Sequence, residues 1–312
     1  MKKILFFGTG EFGLKPLKAL IKSSNFKIVG VVTNPDKEVG RHQKLSFSPI
    51  KKITLENNIK VFQSQKLKDN SKFLKIVRNL KPDLIVVIAY GLIIPEEILE
   101  IPKFRSINVH ASLLPKFRGP SPVQFQILKG ERKTGVTIML MDKKIDHGPI
   151  LKQKKVTLSP SITAGELHDK LSEFSIELLT ETLNQWVEGE IKPQVQDRSE
   201  ATYTKILKRE DGHINWSKKK IDIERMVRAF DPWPGTFSFL NKKRLKILKV
   251  KISNHKAKKT CQNGQIVVFS DKMLVKCKDG FIEVLKLQME GKKVVNASEF
   301  IRGYNVNGSI LS

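Results

Sequence analysis

Ile4-Leu5-Phe6-Phe7-Gly8-Thr9-Gly10-Glu11-Phe12-Gly13 is a short apolar run that breaks into a turn with glycine at 8, 10 and 13. The run has the length and composition of a buried strand, and the residues after the turn, Leu14 to Lys22, have helical spacing. A second apolar run, Lys27 to Thr33, completes strand, turn, helix, strand, which is a βαβ unit with parallel strands. The glycines match G-x-G-x-x-G, a pattern that can admit a pyrophosphate at a helix start. That pattern also wants an acidic residue near the end of the second strand. Here the strand ends Val31-Val32-Thr33-Asn34, with Asp36 only beyond Pro35. A tight turn that lets strand and helix pack closely is the better reading, and a nicotinamide oxidoreductase is an alternative resting on Gly8, Gly10 and Gly13 alone.

Working outward, Val61-Phe62 reads as a strand, Lys72 to Leu80 as an amphipathic helix, and Leu84-Ile85-Val86-Val87-Ile88 as a central parallel strand covered on both faces. Ala89-Tyr90-Gly91 follows at its carboxyl end, where open α/β sheets hold ligands. A short helix is expected over Ile93 to Leu99 with Pro95 in its first turn. The strand of Ser106-Ile107-Asn108-Val109-His110 comes next, and Leu113-Leu114-Pro115 ends it. Asn108 and His110 are two apart, so their side chains leave the same face and put an amide donor beside a titratable imidazole. Such a pair before a loop suits acyl-type transfer. Val123 to Lys129 reads as a helix, Gly135 to Met141 and Ile150 to Val156 as strands, and Asp142 to Pro149 as the turn between them. Thr163-Ala164-Gly165-Glu166 is a capping box that starts a long helix to about Val187. Asn34 to Lys44 lacks any apolar period and mixes turn formers with bases, and it is expected to be a mobile surface loop running on through Ser48-Pro49. Either it is a solvated insertion or it is a basic arm that orders on phosphates.

The character changes after Tyr203. Thr236 to Leu240, Leu245 to Ile252, Gln265 to Phe269, Met273 to Cys277 and Phe281 to Leu287 are short strand-like runs, with a helix near Ala297 to Arg302, and together they suggest a small β-barrel. A chain of 312 residues exceeds what one core usually organises. The division expected is 1–189 as a catalytic domain, 190–204 as a linker and 205–312 as a second domain. The formal net charge of +26 suggests a polyanionic partner, nucleic acid before membrane. Residues 205 to 312 hold 24 Lys+Arg against 10 Asp+Glu, so the smaller part carries the denser charge. Composition bias offers a plainer account, since lysine greatly outnumbers arginine. Cys261 and Cys277 give neither a disulfide framework nor metal-ligand spacing, so a cytoplasmic setting and no metal are expected. The apolar start ends at Gly8, too soon for a signal-peptide core.

Asn108-Val109-His110-Ala111-Ser112-Leu113-Leu114-Pro115, Arg118-Gly119, Thr134-Gly135-Val136-Thr137 and Asp146-x-Gly148 together resemble the 10-formyltetrahydrofolate-dependent formyltransferases. Asn34-Pro35-Asp36, Gly40-Arg41 and Lys44-Leu45 resemble the basic insertion loop of members that act on initiator methionyl-tRNA. Arg228-Ala229-Phe230-Asp231-Pro232-Trp233-Pro234 resembles the entry to their C-terminal barrel. The resemblance spans nearly the whole chain. It implies an α/β fold, with an N-terminal Rossmann-like, mostly parallel sheet and a C-terminal OB-like barrel. It implies a monomeric enzyme with formyl-folate as donor and the tRNA as acceptor. Catalysis would fall to Asn108, His110 and Asp146, and folate binding to Ser112, Leu113, Leu114 and Pro115 with Tyr90, Gly91, Leu92 and Ile93. Lys37, Arg41 and Lys44 would contact tRNA. Where family members commonly show Asp-Thr-Gly, this chain has Asp146-His147-Gly148, which places a second imidazole beside the site, read as a turn residue.

The chemistry agrees with the residues. The acceptor would be an α-amine that titrates at about 7.7–8.0 and so needs a base at neutral pH. Asn108 is suited to donate to the formyl oxygen as charge grows there, and His110 to donate to the same oxygen and shuttle a proton. Asp146 would either hold the imidazole or take the amine's proton through water. A small-molecule amine as acceptor, or a non-catalytic RNA-binding protein, are the other readings; the second leaves Asn108, His110 and Asp146 without a purpose.

Overall fold

The computed structural model describes residues 1–39, 44–255 and 261–312. The chain divides into two compact units: one of residues 1–122, 133–157 and 168–205, the other of residues 123–132, 158–167 and 206–312.

In the first unit the opening strand β1 (Lys2–Gly8) is followed by helix α1 (Leu14–Ile21) and β2 (Phe26–Thr33). β1 pairs with β2 and with the later strand Leu84–Ile88, both in parallel. The glycine turn packs as close contact requires: a Cβ on Gly8 would lie 2.9 Å from the Ile88 carbonyl oxygen, and one on Gly13 would lie 3.3 Å from Ile88 Cβ. The amides of Thr9 and Gly10, which a pyrophosphate would need, both donate to the Ala89 carbonyl. Those two amides are therefore spent on joining the turn to the end of the neighbouring strand.

Short strands β3 (Lys37–Val39) and β4 (Lys44–Ser46) pair antiparallel, so the flanks of the expected loop form a ladder. Backbone pairing needs no side-chain period, which is why the sequence hides it. Helix α2 (Pro49–Glu56) was also unforeseen. Its signal is Ser48, whose hydroxyl accepts from the Lys51 amide at 3.1 Å, with proline at the first helical position. There follow β5 (Val61–Gln63), α3 (Ser71–Leu80), β6 (Leu84–Ile88), α4 (Glu96–Leu99) and β7 (Ser106–His110). α4 is shorter than expected because Pro95 is extended, with ψ at 147°, and caps the helix from outside. Then come α5 (Pro122–Lys129), which falls in the second unit but for its first residue, β8 (Lys133–Leu140), β9 (Ile150–Thr157) and the long α6 (Ala164–Val187), which belongs to the first unit from His168 onward.

The seven strands of this sheet run in the order β5-β2-β1-β6-β7-β8-β9. The first five are mutually parallel, and β7, β8 and β9 pair antiparallel. β6 is buried along its whole length, as its unbroken apolar run requires. The order reverses between β1 and β6, so the crevice for a ligand opens at their carboxyl ends. Asn108 lies in register with Val87 of β6, two residues short of Ala89. The stretch 190–204, expected as a linker, is hydrogen-bonded into this unit: Ile150 pairs with Gln194 and Arg118 with Tyr203.

The second unit contains helix α7 (Lys220–Ala229), then β10 (Thr236–Leu240), β11 (Lys243–Ser253), β12 (Ile266–Phe269), β13 (Lys272–Cys277), β14 (Gly280–Met289), β15 (Val294–Asn296) and α8 (Ala297–Gly303). Its strands form one antiparallel sheet, β10-β11-β14-β13-β12, with β15 on β14. Ile223 and Val227 of α7 join Leu245, Ile247, Val275 and Ile282 in its core. α7 escaped the sequence reading because Lys, Asp, Glu and Arg crowd its three buried positions, Ile223, Val227 and Ala229. Lys246, Lys249 and Lys251 face outward between half-buried and buried apolar residues of β11. Cys277 is fully buried here, and burial, with Asp279 adding to it, pushes its thiol up to about 11. Iodoacetamide at pH 8, which attacks thiolate, is expected to label the partly exposed Cys261 and to leave Cys277 unmodified until denaturant is added; intact-mass analysis reads the two steps.

Candidate active site

Asn108, His110 and Asp146 converge, although Asp146 comes from a turn 38 residues beyond Asn108. β8 runs antiparallel to β7, so its end, Leu140, lies opposite Ile107. The chain must then fold back. Met141 donates to the Ser106 carbonyl and Leu140 to that of Pro149, which closes the turn 141–149 against the sheet. Asp146 takes left-handed backbone, φ 48°, at its tip. Gly148 permits this return, since a Cβ there would meet the Leu140 carbonyl oxygen at 2.0 Å.

Asp146 Oδ1 accepts from Asn108 Nδ2 at 3.3 Å and stands 3.6 Å from His110 Nδ1. Its other oxygen, Oδ2, accepts from the Gly119 amide at 2.7 Å. His110 is only 6% exposed. Its Nε2 donates to the Phe117 carbonyl at 2.9 Å, because a carbonyl can only accept. That bond fixes the tautomer and leaves Nδ1, on the Asp146 side, as the nitrogen that can gain or lose a proton. The Asn108 amide has a second N–H beyond the one aimed at Asp146, so it can bridge the carboxylate and a substrate oxygen. An amide donor hydrogen-bonded to a carboxylate, and a buried imidazole 3.6 Å from the same oxygen, are parts for acyl transfer: one to stabilise an oxyanion, two to move a proton.

The loop after β7 is held from the sheet. The Ser112 hydroxyl donates to the Lys116 carbonyl at 2.6 Å, and its own carbonyl accepts from Thr137 Oγ1. Thr137 Oγ1 also accepts from the Leu114 amide at 3.1 Å, and Gln153 Nε2 donates to the Leu114 carbonyl at 2.9 Å. Leu113 and Pro115 are half-buried, and Leu114 is buried. At the end of β6, Gly91 has φ 88°, while Leu92 and Ile93 are exposed, Ile93 at 76%. These are the apolar surfaces open to a ligand. Tyr90 differs from the expectation. Its ring is 2% exposed and meets Phe7 edge-on at 5.2 Å, so it is part of the core and offers no face to a ligand. Its hydroxyl has no partner among the described residues, and burial pushes it up to about 12. Its carbonyl accepts from Asn34 Nδ2 at 3.0 Å and from Thr9 Oγ1 at 3.3 Å.

His147 is tied to Asp142, Nδ1 to Oδ2 at 2.7 Å, which fits a turn residue. Arg41 lies outside the described residues, and Lys37 and Lys44 stand on the β3 and β4 ladder. Among the described residues there is no group of three or more His, Cys, Asp or Glu placed to hold a metal ion, and no helix long and apolar enough to cross a membrane. Sequence reasoning missed Gln196, which is 4% exposed and donates to the carbonyls of Asp146 at 3.0 Å and Gly148 at 2.7 Å. A glutamine in a polar stretch between domains carries no local signal of such a role.

A family model described as formyl transferase matches residues 2–183, and one described as formyl transferase, C-terminal domain, matches residues 206–305. The methionyl-tRNA formyltransferase of Caldanaerobacter subterraneus is 41% identical over 310 residues, 99% of this chain and 99% of the relative. That of Thermodesulfovibrio yellowstonii is 43% identical over 304 residues, 97% of this chain and 96% of the relative. Among solved structures, the N-formyltransferase from Helicobacter canadensis, in complex with folinic acid and dTDP-3-aminofucose, superposes with a TM-score of 0.67 at 22% identity, covering 93% of this chain and 100% of that one. HypX from Aquifex aeolicus, in complex with tetrahydrofolic acid, gives 0.61 at 17% identity, covering 96% of this chain and 46% of that one. These two likenesses bear on the fold alone.

Proposed function

The chain belongs to the formyl transferase family, and on that premise we propose that Asn108, His110 and Asp146 are its catalytic residues. The reaction is transfer of a formyl group from 10-formyltetrahydrofolate to the α-amine of methionine on initiator methionyl-tRNA. The observation that carries the assignment of residues is the sharing of Asp146 Oδ1 between the Asn108 amide and the His110 imidazole.

In this reading the methionine amine attacks the formyl carbon, and the carbonyl oxygen takes up negative charge. The second N–H of Asn108 donates to that oxygen, a role worth about 2.7–4 kcal/mol in comparable sites. His110, with Nε2 fixed on Phe117, works through Nδ1: in its protonated form the ring donates a hydrogen bond to the oxyanion and then gives that one proton to the folate nitrogen as its bond to the formyl carbon breaks. Asp146, on the same nitrogen's side, takes the amine's proton through water and passes it to Nδ1, which restores the protonated ring. Leu92 and Ile93 on one side and Leu113 to Pro115 on the other cover the apolar part of the folate. Residues Ser112 and Gly91 shape those two loops without offering large surfaces of their own. The two loops belong to neighbouring parallel strands, which supports one shared pocket.

Residues 205–312, with the ladder residues Lys37 and Lys44 and with Arg41, are proposed to hold the tRNA. Their charge supports this. Two unpaired cysteines fit a reducing cytoplasm. The test is formylation of charged initiator tRNA with formyl-folate present, in competition with a small amine such as an amino sugar nucleotide. Formylation of the tRNA is expected; transfer to the small amine in its place would overturn the assignment of acceptor. Affinity for the tRNA is expected to fall steeply with salt, by about tenfold or more between 50 and 200 mM, because bound phosphates release counterions. Filter binding across that range measures the slope.

A further inference from the structure

We propose that Gln196 is a positioning residue for Asp146, and that the segment 194–204 is a strap holding the backbone groups against which the catalytic pair leans. The inference rests on the assignment of Asn108, His110 and Asp146 made above. Gln196 makes four hydrogen bonds. Its Nε2 donates to the carbonyls of Asp146 and Gly148, and its Oε1 accepts from Nε of Arg118 at 3.2 Å and from Nη2 of Arg118 at 2.7 Å. Only a side chain that both donates and accepts can join two carbonyls on one side to a guanidinium on the other. Arg118 is 2% exposed, so the joint lies inside the protein, where an unmade bond is costly.

Both ends of that joint bear on the site. On one end is the backbone of Asp146 itself, in left-handed conformation, which non-glycine residues keep only when their surroundings hold it. On the other end is Arg118, whose neighbours supply the two backbone contacts of the catalytic pair: Phe117 O takes the Nε2 proton of His110, and Gly119 N donates to Asp146 Oδ2. The strap fixes this tripeptide at every residue. Thr202 Oγ1 accepts from the Phe117 amide at 2.8 Å, the Arg118 amide donates to the Thr202 carbonyl at 2.9 Å, and the Thr204 amide donates to the Arg118 carbonyl at 2.8 Å. A Cβ on Gly119 would stand 2.8 Å from Thr204 Oγ1, so the strap lies directly on it. Gln196 thus sets the distance between the carboxylate and the imidazole from both directions while touching neither side chain.

Gln196→Glu separates positioning from mere packing. It is isosteric and keeps an acceptor for Arg118, but it cannot donate to the Asp146 and Gly148 carbonyls. The expected result is a folded enzyme whose kcat falls by on the order of 100-fold, the scale of a catalytic group misplaced by about 1 Å. The KM values for formyl-folate and tRNA should stay within about twofold of wild type, because no binding contact is removed. In an Asp146→Asn background the same substitution should lower kcat by less than about threefold, since the group it positions is already gone. Thr202→Val, which removes only the acceptor for the Phe117 amide, should act in the same direction and covers the case in which Gln196→Glu does not fold. Full turnover in a folded Gln196→Glu or Thr202→Val enzyme, or losses that multiply with that of Asp146→Asn, would overturn the inference. If Asp146→Asn itself left turnover unchanged, the catalytic assignment would fall instead.

Discussion

His110→Ala is expected to lower kcat by about 10²–10⁴-fold, the range of general acid–base catalysis, with tRNA affinity unchanged. The imidazole is buried, its Nε2 is committed to Phe117, and its Nδ1 faces Asp146 at 3.6 Å. Asn108→Ala removes the amide donor and should cost about 10²–10³-fold in kcat. It also takes from Asp146 Oδ1 the hydrogen bond at 3.3 Å, so the two effects overlap and the losses of Asn108→Ala and Asp146→Asn should not multiply. Single-turnover formylation with saturating tRNA measures these values. Loss of tRNA affinity with turnover preserved at saturation would contradict the assignment.

Gly148→Ala is expected to cost at least about 3 kcal/mol, at the upper end of what overpacking usually does, because the new Cβ would lie 2.0 Å from a backbone oxygen that cannot rotate away. For a unit of this size that corresponds to a fall in Tm of roughly 6–12 °C. The Leu140 carbonyl belongs to the last residue of β8, and Gly148 is two residues from Asp146, so the strain passes directly into the catalytic turn. Turnover should therefore fall in the fraction that stays folded. Calorimetry and the formylation assay on one preparation separate the two losses, and an unchanged Tm would show that the turn has room that the contact denies.

The parts of this molecule legible in its sequence are those governed by local rules. The βαβ start follows from an apolar run, a glycine turn and helical spacing. Asn108 and His110 share a face because strand side chains alternate. Asp146 is different: a turn aspartate is by default a cap, and only the resemblance to known formyltransferases singled it out. α2 was readable from Ser48-Pro49 but was masked by the basic residues around it. Tyr90 was placed at a strand's carboxyl end correctly, yet the direction of its ring depends on packing against Phe7, which sequence spacing does not give. Gln196 was not legible at all. Its partners are 50 residues away at Asp146 and 78 at Arg118, and no periodicity connects them.

Those separations bear on the order in which the enzyme matures as it is made. The match to the N-terminal family model ends at residue 183, while the bonds that brace Phe117, Arg118, Gly119 and Asp146 come from Gln196 to Thr204. A nascent chain that has just completed α6 thus already contains Asn108, His110 and Asp146, the proposed catalytic trio, and every strand of its sheet, but lacks Gln196, Thr202 and Thr204, which hydrogen-bond the backbone around that trio. Contacts between residues this distant in sequence form late, because the entropy of closing the intervening chain comes before their gain. On the proposed assignment, catalytic competence is expected to wait for residues 188–204 to emerge beyond the helix, after every strand of the sheet has been made.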